Sequence, residues 1–122
     1  MKVLIVDDNE GLTWVLQKIL EDEGYEVRSA GDGRDGYTAY LLFKPELIIT
    51  DIQMPGENGL ELIKHIRMHD PAIRTIYMSA DLSRYWSPLE EEKKKHPVSL
   101  LEKPFSRDEL MKLLAVPMAQ MN

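Results

Sequence analysis

Short unbroken apolar runs alternate along this chain with longer stretches in which apolar residues recur every three or four positions. Val3-Leu4-Ile5-Val6 and Leu47-Ile48-Ile49 are too short for helices and too continuous for half-exposed strands. They predict strands buried on both faces, over residues 2–7 and 47–51. The first ends on Asp7 and Asp8, the second on Asp51, followed at once by a loop rich in Pro55, Gly56, Asn58 and Gly59. Residues 25–30 alternate polar and apolar and predict a more exposed strand toward a sheet edge. Residues 73–79, ending in Ser79, and 98–101, followed by Lys103, complete the set of strands.

Between them lie helical patterns. Asn9 is placed to cap a helix with Leu12, Val15, Leu16, Ile19 and Leu20 on one stripe, stopped at Gly24. A second helix runs from about Arg34 to Phe43 and is halted by Pro45. Leu60, Ile63 and Ile66 mark a third, ending near Asp70-Pro71. Ser87-Pro88-Leu89-Glu90 combines an N-cap, a first-turn proline and a capping-box glutamate. Glu90/Lys94 and Glu91/Lys95 then favour a fourth helix, short and weakly anchored because Leu89 is its single large apolar residue. Ser106 caps a fifth, with Leu110, Leu113 and Leu114 inward and Pro117 at its end. Regular alternation of strand and helix predicts an α/β fold: a doubly wound parallel sheet covered on both faces, with ligands bound beyond the carboxyl ends of the strands.

Composition narrows the function. At 122 residues and 43% apolar content, one domain spanning 1–122 is expected. A net charge of −6 leaves no cation excess for a nucleic-acid footprint. The absence of cysteine excludes disulfides and thiolate metal sites. The N-terminal apolar run is too short for a signal peptide or membrane insertion, so a cytoplasmic protein is expected.

The strand ends carry the chemistry. Asp7, Asp8 and Asp51, the Ser79 hydroxyl and the Lys103 ammonium are delivered to one sheet edge. Each by itself reads as an ordinary strand-end cap. Together, three carboxylates repel, and a hard divalent cation removes that conflict. Mg²⁺ takes one or two carboxylates and completes its shell with water and phosphate oxygens. The remaining charge then suits a phosphoryl group, contacted by Lys103 as a point charge and by Ser79 as a donor.

Val6–Asp8 (VDD), the turn TDIQMPGENG (Thr50–Gly59), MSA (Met78–Ala80) and EKPF (Glu102–Phe105) occur in the order of, and resemble, the response-regulator receiver domain of two-component signalling. The resemblance implies a flavodoxin-like three-layer sandwich with strand order 2-1-3-4-5. It implies that Asp51 is the phosphoacceptor for a sensor histidine kinase or phosphotransfer protein. It also implies that Asp8, Asp51 and the Gln53 backbone carbonyl ligate Mg²⁺, with Asp7 helping through water. Lys103 would pair with the phosphoryl group, Ser79 would bond to it and move, and the Ala80 amide would support another of its oxygens. The domain is then a stoichiometric switch rather than a turnover enzyme, its output partner unspecified.

The pattern departs from that family at Leu100, where an aromatic residue is usual three positions before the lysine; Tyr77, Tyr85 and Trp86 are candidate replacements. Other motifs compete weakly. GDGRDG matches a dinucleotide-binding glycine pattern at Gly31, Gly33 and Gly36 but leaves the strand-end acids and Lys103 unexplained. An aspartyl-phosphate phosphatase of the haloacid-dehalogenase type wants a second acid where Gln53 stands. His65 and His69 share a helix face but lack a third ligand. Lys93 to His96 reads as a solvated helix end, and Trp14 either docks a kinase or folds over a neighbouring helix.

Overall fold

The computed structural model describes residues 1–115. β1 (Lys2–Val6), β2 (Glu26–Ala30), β3 (Leu47–Asp51), β4 (Arg74–Ser79) and β5 (Val98–Glu102) alternate with α1 (Glu10–Asp22), α2 (Gly33–Phe43), α3 (Gly59–Arg67), α4 (Trp86–Lys95) and α5 (Arg107–Ala115). The strands pair in parallel in the order β2-β1-β3-β4-β5. β2 is thus an edge strand, as its alternating pattern predicts, while β3 is buried at every position.

Alternation along each strand divides the core. Val3, Ile5, Leu47, Ile49, Ile76 and Met78 pack with Leu16, Leu20 and Leu110 on the α1/α5 face. Leu4, Val6, Ile48 and Tyr77 pack with Leu62, Ile63, Ile66 and Leu89 on the α2/α3/α4 face. A strand covered on both sides needs apolar residues at consecutive positions, which explains the unbroken runs.

The predicted caps form at α1, where the Leu12 amide donates to Asn9 Oδ1 at 3.0 Å, and at α5. There Ser106 Oγ accepts from the Glu109 amide (3.1 Å) and Glu109 Oε1 from the Ser106 amide (3.2 Å). Gly24 takes φ +91° after α1, a conformation that favours glycine. The expected stop at Pro117 lies outside the described residues.

Three expectations about the helices are corrected. Val15 is 46% exposed and Thr13 is buried in its place. At about 100° per residue, Val15 stands a quarter-turn off Leu16, the centre of the buried arc, while Thr13 lies on the other shoulder. Its hydroxyl is accommodated there by donating to the Asn9 carbonyl at 3.0 Å. Nor does Ser87 cap α4. A 3-10 turn over Leu82–Tyr85 already winds the chain in the helical sense, so α4 starts at Trp86 with no side-chain cap bond at Tyr85. The exposed pair that forms on α4 is Glu91–Lys94, three apart, at 3.6 Å.

Candidate functional site at the strand ends

Parallel order brings the carboxyl ends of β1, β3, β4 and β5 to one edge, and the predicted residues gather there. Asp7 follows β1 directly and is 2% exposed; both of its carboxylate oxygens are engaged. Oδ1 accepts from the Asn9 amide at 2.9 Å and Oδ2 from the Lys103 ammonium at 2.8 Å. Asp51 closes β3, is buried, and has Oδ1 3.5 Å from the same ammonium. Asp8, exposed beside them, completes a cluster in which one oxygen from each of Asp7, Asp8 and Asp51 lies within 4.8 Å of the others.

The electrostatics follow from this crowding. Burial pushes the Asp51 carboxyl up from its ordinary value; Lys103 pulls it back, and the Asp7 and Asp8 carboxylates push it up again. Three carboxylates share one nearby ammonium, so the pocket retains unbalanced negative charge. An all-oxygen donor set of this kind fits a hard cation.

Ser79 ends β4 and is buried; its Oγ accepts from the Asp81 amide at 3.0 Å, leaving its own hydroxyl proton to donate elsewhere. The Ser79 carbonyl accepts from the Lys103 amide at 2.9 Å, which fixes the chain where Lys103 turns inward. Gln53 and Ala80 are exposed on the loops that follow Asp51 and Ser79.

The sequence did not reveal what supports Asp51. Thr50 Oγ1 donates to the Asp51 carbonyl at 2.9 Å. Gly59, read as a loop residue, is the first residue of α3, and a Cβ built there would lie 2.1 Å from that same carbonyl oxygen. Asn58 and Glu61 form a capping box that starts α3 at this point. The spacing Asn-x-x-Glu carries that signal in the sequence.

The competing motifs have local explanations. A Cβ at Gly33 would meet the Glu57 carbonyl oxygen at 2.8 Å, and one at Gly36 would press on Val6 and Leu62, so these glycines serve close packing of α2. His65 Nδ1 lies 2.9 Å from Glu57 and His69 Nε2 2.7 Å from the Tyr37 hydroxyl, so the two histidines face different partners. Trp14 is 63% exposed, with the Lys18 ammonium 5.6 Å from its ring, and does not fold over a neighbouring helix.

Residues 3–115 match the family model described as the response regulator receiver domain. The chain is 32% identical over 111 residues to sporulation initiation phosphotransferase F of Bacillus subtilis, covering 89% of this chain and 86% of that protein. It is 32% identical over 114 residues to the DNA-binding transcriptional regulator NtrC of Salmonella typhimurium, covering 92% of this chain but 24% of that protein. Among solved structures it resembles the response regulator TrrA of Thermotoga maritima in complex with Mg²⁺-BeF. There the TM-score is 0.80 at 31% identity, over 93% of this chain and 95% of that one.

Proposed function

This chain belongs to the response regulator receiver domain family of two-component signalling, and on that premise we propose that Asp51 is its phosphoacceptor. The phosphodonor is the phosphohistidine of a sensor histidine kinase or phosphotransfer protein. The observation that carries this reading is the Lys103 ammonium standing between Asp7 and Asp51 at 2.8 and 3.5 Å beside the three-carboxylate cluster.

In the transfer, an Asp51 carboxylate oxygen attacks the phosphorus as the phosphorus–nitrogen bond breaks, and the bonding pair leaves with the imidazole. Little covalent help is needed; the catalytic problem is alignment and charge. Lys103 meets a phosphoryl oxygen as a point charge. The Ser79 hydroxyl and the Ala80 amide donate to the others. Asp8, Asp51 and the Gln53 carbonyl would hold Mg²⁺, with Asp7 assisting through water. When bound, Mg²⁺ supplies charge neutralisation for the phosphoryl oxygens. Burial of Asp51 keeps water from the nucleophile and makes the ionised carboxylate reactive once the charge around it is balanced.

The product is an aspartyl phosphate with added negative charge and acceptor oxygens, able to draw the Ser79 hydroxyl toward it. The domain therefore works as a stoichiometric switch. The haloacid-dehalogenase-type reading ranks behind it because Gln53 stands where that class wants a second acid, and the nucleotide-binding reading because its glycines leave Asp7, Asp8 and Lys103 unexplained. Incubation with acetyl phosphate and Mg²⁺, read by intact mass, tests the assignment. One phosphoryl adduct, absent in Asp51→Asn, is the expected result; an adduct that persists in Asp51→Asn overturns it.

A further inference from the structure

α4 is the least apolar of the helices, and Leu89 is its one buried residue among the described residues. A second anchor is polar. Glu92, three positions on and therefore on the same face, turns its carboxylate inward, 18% exposed. Its Oε1 accepts from the Tyr77 hydroxyl of β4 at 2.6 Å and from Arg67 Nη1 of the last turn of α3. One oxygen thus joins α3, α4 and β4. Of the three candidate replacements for the aromatic absent at Leu100, Tyr77 is fully buried and pairs with Leu100 across β4 and β5, whereas Trp86 is 56% exposed and Tyr85 half-buried. Burial, reinforced by Glu92, pushes the Tyr77 phenol well up, so it stays a donor.

The junction is half satisfied. The Arg67 side chain is 9% exposed, and its Nε and Nη2 are buried without a hydrogen-bond partner. Such a network costs desolvation that its contacts do not fully return. It is poorly suited to adding stability and well suited to fixing one position that can be given up. The path to it is short. Ser79 lies two residues beyond Tyr77 on the same face of β4, and its Oγ holds the Asp81 amide that opens the 3-10 turn into α4.

We infer that Glu92, with Arg67 and Tyr77, is the positioning group that sets the resting place of α4, and that this junction opens when Asp51 is phosphorylated. The inference rests on the phosphoacceptor reading. As Ser79 turns its hydroxyl toward the phosphoryl group, the Asp81 amide loses its acceptor and the 3-10 turn draws α4 away. The two unpartnered Arg67 nitrogens then reach water. The open state is also the one in which Ser79 is free to meet the phosphoryl group, so opening the junction by mutation raises the population that reacts and speeds phosphorylation in turn.

The test compares wild type with Glu92→Gln, Tyr77→Phe and the surface control Glu91→Gln. It measures amide exchange of residues 86–95 and the rate of adduct formation from acetyl phosphate with Mg²⁺. In Glu92→Gln, α4 exchanges faster and the adduct forms faster, each by at least about 5-fold. Tyr77→Phe shifts both in the same direction by less, and Glu91→Gln matches wild type. Phosphorylated wild type exchanges in α4 as fast as resting Glu92→Gln. Equal α4 protection in the two glutamine variants, or an adduct rate unchanged by Glu92→Gln, overturns the inference. A wild type that takes no adduct strikes the phosphoacceptor reading instead, and the exchange comparison still decides the resting position of α4.

Discussion

Lys103 and Asp7 stand 96 residues apart in the sequence and 2.8 Å apart in space. The pair spans the sheet edge, from just beyond β5 to just beyond β1, and passes over Asp51, whose Oδ1 is 3.5 Å from the same ammonium. On the proposed assignment, a phosphoryl group arriving on Asp51 would meet a cation already held in place, with little reorganisation to complete.

Replacing that cation should be costly in a specific way. Lys103→Ala is expected to slow adduct formation from acetyl phosphate about 10²-fold. It should also lower stability by about 1–3 kcal/mol, because Asp7 loses a buried partner. Lys103→Arg should not restore the rate, since a planar fork does not fit a site built for a point charge. Intact mass with time and urea denaturation separate the two effects.

The raised Asp51 carboxyl makes a signed prediction. Its folded-state pKa lies above its unfolded value, chiefly through burial and against the pull of Lys103. The native state thus binds this proton more tightly than the unfolded state. Asp51 contributes stability below its unfolded value, and that contribution is lost as pH rises through the folded one. Asp51→Asn, which never ionises, should gain in melting temperature relative to wild type as pH goes from about 4 to about 7. Mg²⁺ should stabilise the wild type by about 2.7 kcal/mol at a hundred times its Kd, raising its melting temperature, and do so far less for the variant.

Gly59 is a second point where the site depends on backbone. Its absent Cβ would lie 2.1 Å from the Asp51 carbonyl oxygen and 3.1 Å from Ile52 Cα, and backbone cannot swing aside as a side-chain end can. Gly59→Ala is expected to cost about 3 kcal/mol or more and to slow phosphorylation of the folded fraction. Gly31→Ala, where a Cβ meets nothing within 4 Å, should fall within about 0.5 kcal/mol of wild type. Parallel denaturation curves check both.

Trp14 offers a solvent-facing ring on α1. Trp14→Ala should leave stability within about 0.5 kcal/mol and leave phosphorylation by acetyl phosphate unchanged. If the ring docks the kinase, transfer from the cognate phosphohistidine should slow. A clear loss of stability with transfer intact would return Trp14 to a packing role.

Much of this was legible in the sequence because it depends on local rules. Leu47-Ile48-Ile49 and Val3-Leu4-Ile5-Val6 read as strands because such runs, closed off within a few residues, are too short for helices and too continuous for half-exposed strands. Asn9 and Ser106 cap helices because the groups they satisfy lie within three residues of them. Asp7, Asp8, Asp51, Ser79 and Lys103 fall at strand ends by position, and parallel order then gathers the ends on one edge. What the tertiary structure decided are contacts between residues far apart in the chain. The helix phase that buries Thr13 and exposes Val15 is set by how α1 lies on the sheet. The 3-10 turn that overrides the Ser87 cap is set by where β4 ends. Gly59 meeting the Asp51 carbonyl, Lys103 reaching Asp7, and Glu92 meeting Tyr77 and Arg67 each require two or more elements in register. The sequence by itself determined the elements and the chemical groups; only packing decided which of those groups share a charge.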